Sequence, residues 1–384
     1  MLTKILFLLH IPPPIHGSSI VGKSIVDSKK INEAYNCRFI NLLVSKTVNE
    51  TGKGGLIKSF RFIKSWFTLL LELLKQKPQL CYFALTASGF AFFKDVLLVI
   101  LLRIFRIKTV YHLHNKGFSV NAKNRVYSLL YKFVFKNSDV IILSDLLYAD
   151  IKSFVAENKI HICANGIPDL VYSSQFIVNS EEKMNEIVLD KEISSINFKL
   201  STIKLLFLSN LIESKGIYIL LEACKILDKR NVNFNCSLIG GEGDISAKQL
   251  NEKIKELGLE TKVNYVGKKY GVEKNSYWQN ADVFVFPTYY NYECFPLVLL
   301  EAMQYSLPVI STFEGGIPDV VEDDVTGFLV QQKDVQALAD KLETLIHNPE
   351  LRKQMGEAGR RKYEEEFTIE KFEDNMINIL NACL

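Results

Sequence analysis

Apolar residues in this chain fall into two rhythms. Short runs rich in Ile, Leu, Val and Phe occupy residues 4–9, 80–85, 109–113, 139–144 and 160–163, then 203–208, 234–239, 263–267, 281–286, 307–312 and 326–330. Unbroken apolar runs that end in turn residues are what a parallel strand buried on both faces requires. Between them lie segments with helical spacing, chiefly 18–28, 56–77, 335–346 and 368–380. Strands alternating with helices predict an α/β fold. The segment 56–77, ended by Pro78, is apolar on more than one side. Leu56, Phe60, Ile63, Phe67, Leu70 and Leu74 form one stripe, expected to bury against a sheet. Lys58, Arg61, Ser65, Thr68, Glu72 and Lys75 form a polar face. Phe62, Trp66, Leu69 and Leu73 make a further strip beside it, expected to stay exposed and, with the basic residues nearby, to meet an anionic membrane surface.

The length, 384 residues, suits two domains with ample core. Residues 1–170 hold 23 Lys+Arg against 10 Asp+Glu and the remainder 23 against 33, so the net charge of +3 hides a basic first half and an acidic second half. Such a split suggests that one half faces anionic lipid or nucleic acid. Seven scattered cysteines without a CxxC pair or metal-ligand spacing predict reduced thiols and a cytoplasmic setting. Residues 4–9 run into Pro12-Pro13-Pro14 and fit a strand better than a signal peptide. Val96–Leu102 is too tightly bracketed by Asp95, Arg103, Arg106 and Lys108 to span a membrane.

Candidate chemistry gathers in the second half. The run from Pro287 to Met303 places Glu293 in a loop after a buried strand, and Pro296 is expected to open the next helix, whose free N–H groups make a seat for an anion. Glu301 then falls inside an apolar helix, where a carboxylate is costly unless polar partners meet it. Sugar or ribose hydroxyls would serve both acids. Gly315-Gly316 forms a backbone loop after the next strand. Gly17–Ser24 fits the Walker A pattern, so a P-loop NTPase has to be weighed. Six residues, three of them proline, separate His10 from Gly17, however, whereas a P-loop glycine follows its strand almost at once. Gly240-Gly241-Glu242-Gly243 resembles a dinucleotide fingerprint but carries Ser246 where the third glycine belongs.

The stretch from Glu293 through Glu301 to Gly316 closely resembles the signature of the retaining glycosyltransferases of family 4, which have two Rossmann-like domains facing a cleft (the GT-B architecture). That resemblance implies a first, acceptor-binding domain over 1–170, a linker or insertion over 171–200, a nucleotide-sugar-binding domain over 201–365 and a terminal helix over 366–384 that returns to the first domain. Glu293, His114 and Lys215 are its implied catalytic residues. The implied donor contacts are Gly17, Ser18, Asn210, Lys215, Gly241, Gly243, Val266, Gly267, Cys294, Phe295, Pro296, Leu297, Glu301, Gly315 and Gly316. Two departures stand out: Ser209-Asn210 replaces the family's Gly-Arg, leaving Lys215 to clamp the diphosphate with less help, and Cys294 replaces a glycine.

The resemblance implies transfer of a sugar, with retention, from a UDP- or GDP-sugar to a lipid-linked or polysaccharide acceptor. No cofactor or metal is expected, because no Asp-x-Asp motif is present and the architecture usually works without one. Nucleic acid is not an expected partner. A nucleotide-sugar epimerase of the same architecture is the other enzyme to weigh. Heavy Lys, Asn and Ile usage resembles bacterial surface-polysaccharide enzymes, and the expected location is cytoplasmic, peripheral to the inner face of the membrane.

Overall fold

The computed structural model describes residues 2–43, 56–171 and 202–384, without the side chains of 56–61; the expected linker lies outside the described residues except for Val171. The chain divides into two compact units. Unit 1 is Met1–Gly166 with Asn291–Leu297 and Ile369–Leu384, and unit 2 is Ile167–Tyr290 with Val298–Thr368.

Unit 1 is built on six parallel strands: β1 (Lys4–Leu9), β2 (Asn36–Asn41), β3 (Leu80–Leu85), β4 (Lys108–Leu113), β5 (Asp139–Ile142) and β6 (Ile160–Ile162). Their order is β2-β1-β3-β4-β5-β6. Both β1 and β3 are buried along their whole length, as their unbroken apolar runs require. The strand β2 escaped the sequence reading because it is a half-exposed edge with a mixed sequence. The helices of this unit are α1 (Gly17–Asp27), α2 (Lys29–Ala34), α3 (Leu56–Lys75), α4 (Gly89–Ile104), α5 (Phe118–Asn121) and α6 (Arg125–Phe135). The last helix of the chain, Ile369–Ala382, also belongs here. Phe372, Met376 and Leu380 recur every four residues and enter the core that holds Phe7, Tyr82 and Ile141. The Tyr35 hydroxyl ties this helix down by donating to Asn381 Oδ1 at 2.7 Å.

The helix α3 lies the other way round from expectation. Leu69 and Leu73 are 0% and 3% exposed, whereas Ile63, Phe67 and Leu74 are 49%, 53% and 64% exposed. Leu70 and Trp66 are half-buried, and the side chains of Leu56 and Phe60 lie outside the described residues. A helix apolar on several sides carries no preference of its own, so a single polar contact can set its rotation. Here that contact is Lys4. It is buried at the start of β1, and its Nζ meets Glu72 Oε1 at 2.7 Å and Gln76 O at 2.7 Å. A buried ammonium needs such partners. Glu72, assigned to the polar face by its spacing, is drawn inward and brings Leu69 and Leu73 with it.

Unit 2 carries β7 (Ile203–Leu208), β8 (Phe234–Ile239), β9 (Val263–Tyr265), β10 (Val283–Val285), β11 (Val309–Thr312) and β12 (Gly327–Val330), all parallel. Their order is β12-β11-β10-β7-β8-β9, the doubly wound arrangement whose direction reverses between β7 and β10. Ligands of such sheets bind outside the carboxyl ends of the strands at that reversal. The 18-residue helix Pro349–Glu366 was not read from the sequence, because it is strongly polar. Its start is clear in retrospect: Asn348 caps Leu351 N, and Pro349 fills the first turn.

Candidate active site

In unit 2, the loops leaving β7 and β10 meet at the reversal point. Gly216 follows a short turn at Glu213–Lys215 with φ of +88°, and a Cβ there would sit 2.0 Å from Pro287 O. Glycine is therefore required on both counts. Tyr289 N donates to Ser214 O at 2.7 Å, closing the two loops on each other. The Lys215 ammonium lies 4.4 Å from the centre of the Tyr290 ring and 5.6 Å from that of Phe286, a cation held over aromatic faces.

The next loop, after β8, is laced to the first. Leu211 N donates to Gly241 O at 2.7 Å, and Ile245 N donates to Leu211 O at 3.0 Å. A Cβ on Gly240 would meet Ser209 O at 1.7 Å, and one on Gly243 would meet Leu211 O at 2.7 Å. The Asn210 Oδ1 atom lies 3.3 Å from where a Cβ of Gly241 would stand. Glycines here let two backbones run together beside the carboxyl ends of β7 and β8. Val266 N bonds Leu238 O at 3.0 Å, and Gly267, with φ of +75°, turns the chain after β9 with open space beside its Cα.

The helix Leu297–Gln304 begins one residue after Pro296, so the proline precedes the helix rather than filling its first turn. Glu301 sits on it, as expected. What the sequence did not disclose is its partner: Lys274 Nζ, from the helix Gly271–Asn280, meets Glu301 Oε1 at 2.6 Å. The other oxygen, Oε2, is buried and accepts nothing from the described residues. A half-buried carboxylate with one buried, unpaired oxygen retains capacity for a hydroxyl donor. After β11, Gly315 takes a φ of +58° and Gly316 caps a short helix, Ile317–Val320, in place of the open loop expected there.

Unit 1, taken by itself, holds the remaining sequence-predicted residues. Glu293, Cys294, Phe295 and Leu297 are buried, and Phe295 O accepts from Asn165 Nδ2 at 3.2 Å. His114 follows β4, and its ring lies 4.1 Å from that of His112. His112 is fully buried, shares a 2.6 Å hydrogen bond with the Tyr82 hydroxyl, and has no partner for Nε2 among the described residues. At the end of β1, Ser18 Oγ bridges His10 Nδ1 at 3.2 Å and His16 Nδ1 at 3.1 Å. Burial holds the imidazoles neutral: His10 and His112 are pushed down to about 3, and His114 well below its ordinary value. Neutral imidazoles offer hydrogen bonds to hydroxyls but no charge to a phosphate.

The Walker-like run forms no phosphate loop. Gly17–Asp27 is helical, a Cβ on Gly22 would strike His10 O at 2.0 Å, and Lys23 pairs with Asp27 at 2.6 Å on the exposed side. Gly17 itself has open space beside it. Among the described residues one mixed cluster, Asp139, His161 and Cys383, brings its ligand atoms within 4.8 Å of one another. Lys159 reaches the same Asp139 oxygen at 3.3 Å, and burial lifts the Cys383 thiol to about 11, so a protonated thiol and a paired carboxylate account for it.

The family described as "Glycosyl transferases group 1" matches residues 190–362. The chain is 28% identical over 337 residues to the capsular polysaccharide biosynthesis glycosyltransferase CapM of Staphylococcus aureus, covering 85% of this chain and 83% of that protein. It is 36% identical over 167 residues to the amylovoran biosynthesis glycosyltransferase AmsK of Erwinia amylovora, covering 41% and 40%. The chain is a glycosyltransferase. Its fold is likewise that of solved glycosyltransferases. HepE of Anabaena, solved with UDP and with UDP-glucose, superposes with TM-scores of 0.72 and 0.71 at 20% and 18% identity, over 99% of this chain in both cases.

Within this glycosyltransferase, sequence reasoning found the loops and missed their lateral contacts. Lys274 and Tyr82 carry no motif. Only the cost of a buried Glu301 hinted that a cation stood nearby.

Proposed function

We propose that this glycosyltransferase moves a sugar, with retention of anomeric configuration, from a UDP- or GDP-sugar to a lipid-linked or polysaccharide acceptor without a metal. The observation that carries the donor reading is Glu301. One oxygen is neutralised by Lys274 and the other is buried with no partner among the described residues. A ribose, with two adjacent hydroxyls, is a ligand whose donors suit that oxygen. The topology of unit 2 supports the same place, since the loops after β7 and β10 lie at the sheet reversal.

Breaking the anomeric C–O bond puts negative charge on the departing diphosphate, and neutralising it is the main electrostatic task. Lys215 is the cation for it, held on Tyr290 and Phe286. Asn210 supplies an amide where the family carries a guanidinium, so hydrogen bonding replaces part of the charge. The leaving phosphate accepts the acceptor's proton, which leaves the neutral histidines free to bind hydroxyls. In this reading His114 orients the donor sugar. Glu293 bonds sugar hydroxyls and favours the electron-poor ring of the transition state. Cys294 adds a side chain where the family has none and narrows the sugar pocket. CapM and AmsK, both named for polysaccharide biosynthesis, support a saccharide acceptor.

Calorimetric titration of UDP, GDP and their sugars into wild type and Glu301→Gln tests the donor reading. A charged hydrogen bond is worth about 1.5–3 kcal/mol, so the variant binds the preferred nucleotide roughly ten- to a hundredfold more weakly. Unchanged binding would remove Glu301 from the site.

A further inference from the structure

Three neighbouring strands of unit 2, β7, β8 and β9, send the loops at their carboxyl ends to one place. Asn210 stands on the first loop, Gly241 on the second and Lys268 on the third. The second and third loops are tied together: Gly240 N donates to Gly267 O at 3.1 Å, and the Tyr265 hydroxyl donates to Gly240 O at 2.8 Å. Gly241 lies between the side chains of the other two. A Cβ there would stand 3.3 Å from Asn210 Oδ1 and 3.3 Å from Lys268 Cδ, with Lys268 Cε at 3.8 Å. The missing side chain lets the lysine stem lie across the second loop, beside the amide of the first.

The ammonium at the end of that stem has no carboxylate of its own among the described residues. Lys268 is exposed, and its Nζ lies 4.9 Å from the centre of the Tyr270 ring. The acids on the adjoining segments are engaged elsewhere. Glu242 Oε1 accepts from Ala247 N at 2.8 Å, Glu273 meets Lys269 at 3.4 Å, and Glu301 meets Lys274 at 2.6 Å. A cation resting on an exposed aromatic face is held less firmly than one in a charge-assisted hydrogen bond to phosphate. The charge that Asn210 lacks, relative to the arginine it replaces, is therefore present two loops away and carried back toward Asn210 across Gly241.

We propose that Lys268 is a second cation for the donor's diphosphate, acting with Asn210 in place of the missing arginine. This rests on the nucleotide-sugar reading of unit 2 given above. An arginine brings charge and a fork of donors in one side chain. Here the two are divided: Asn210 offers amide hydrogens to a phosphate oxygen, and Lys268 brings a compact charge on a flexible stem. Lys215, over Tyr290 and Phe286, is the first cation.

The test compares wild type with Lys268→Ala, titrating UDP and GDP by calorimetry and uridine and guanosine by ligand-observed NMR. The variant is expected to bind the preferred nucleoside diphosphate about tenfold more weakly, with nucleoside binding within about twofold of wild type, since only the phosphates lose a partner. Its melting temperature stays near wild type, because the lysine is exposed. Asn210→Arg added to Lys268→Ala restores diphosphate binding to within about threefold, the guanidinium returning the charge from the first loop. Equal losses for nucleoside and diphosphate would put Lys268 on the base, and unchanged diphosphate binding would remove it from the site; either result overturns the proposal. So does a double variant that melts like wild type yet still binds weakly. Should the double variant not fold, Lys268→Ala alone decides. Wild-type protein that binds no nucleoside diphosphate brings down the donor reading and Lys268 with it, whereas binding weakened by Glu301→Gln but not by Lys268→Ala overturns the role of Lys268 alone.

Discussion

At the scale of single residues, the proposed function gives the two candidate acids different tasks, Glu293 in the chemistry and Glu301 in binding. Glu293→Ala is expected to cut turnover at least a hundredfold while nucleoside diphosphate binding stays within a fewfold of wild type, because its proposed contact is with the reacting sugar. Equal losses in both would assign it to the nucleotide instead. Lys215→Ala is expected to abolish transfer, whereas Lys23→Ala, which removes only the exposed pair with Asp27, leaves it intact. Assaying transfer by both variants decides the matter, and the opposite order would restore a P-loop role. Glu301 stood out in the sequence because an acid inside an apolar helix needs an explanation, and Glu293 because of the family resemblance of its loop. Lys274 did not, since it lies 27 residues away on another helix and meets Glu301 only once the sheet has formed. The neutral state of His112 and His114 was equally invisible, because burial creates it.

At the scale of elements, glycines that admit a neighbouring backbone fix the candidate site. Gly216→Ala would place a methyl 2.0 Å from Pro287 O in a backbone region alanine rarely enters, so a loss of more than about 1 kcal/mol is expected. Thermal melting checks this, and an unchanged midpoint would mean that the loops after β7 and β10 are not tied as described. Every strand but the half-exposed edge β2 was legible, because apolar runs ended by turn residues have one use in a parallel sheet. Their ends were read too long in β5, β6, β9 and β10, where the last residues already belong to loops, and β10 and β11 were started two residues early. The rotation of α3 was not legible. Several of its sides are apolar, and a buried Lys4 on another element decided which one faces the core.

At the scale of the whole molecule, buried titratable groups in unit 1 give stability a pH dependence of known sign. An unfolded histidine takes a proton near pH 6.5, whereas His10 and His112 resist one until about 3. The unfolded state therefore binds more protons in between, and stability present above pH 6.5 is lost as the pH falls toward 3. Asp95 opposes this. Burial lifts it to about 7, so its contribution is present below its unfolded value near 4 and lost as pH rises through 7. Urea midpoints measured between about pH 4.5 and 6.5 should rise with pH, more steeply in Asp95→Asn and less steeply in His112→Asn. Slopes identical in all three proteins would show that these groups titrate as they do when unfolded. The division into two α/β units was legible from the alternation of runs. That Asn291–Leu297 is counted with unit 1 was not, because the segment sits within the sequence of the second sheet. The central claim is transfer with retention from a nucleotide sugar, and NMR of the product's anomeric centre, formed from an α-linked donor, tests it most directly. An α-linked product that disappears with Glu293→Ala is the predicted result. A β-linked product, or no transfer from any UDP- or GDP-sugar, would contradict it.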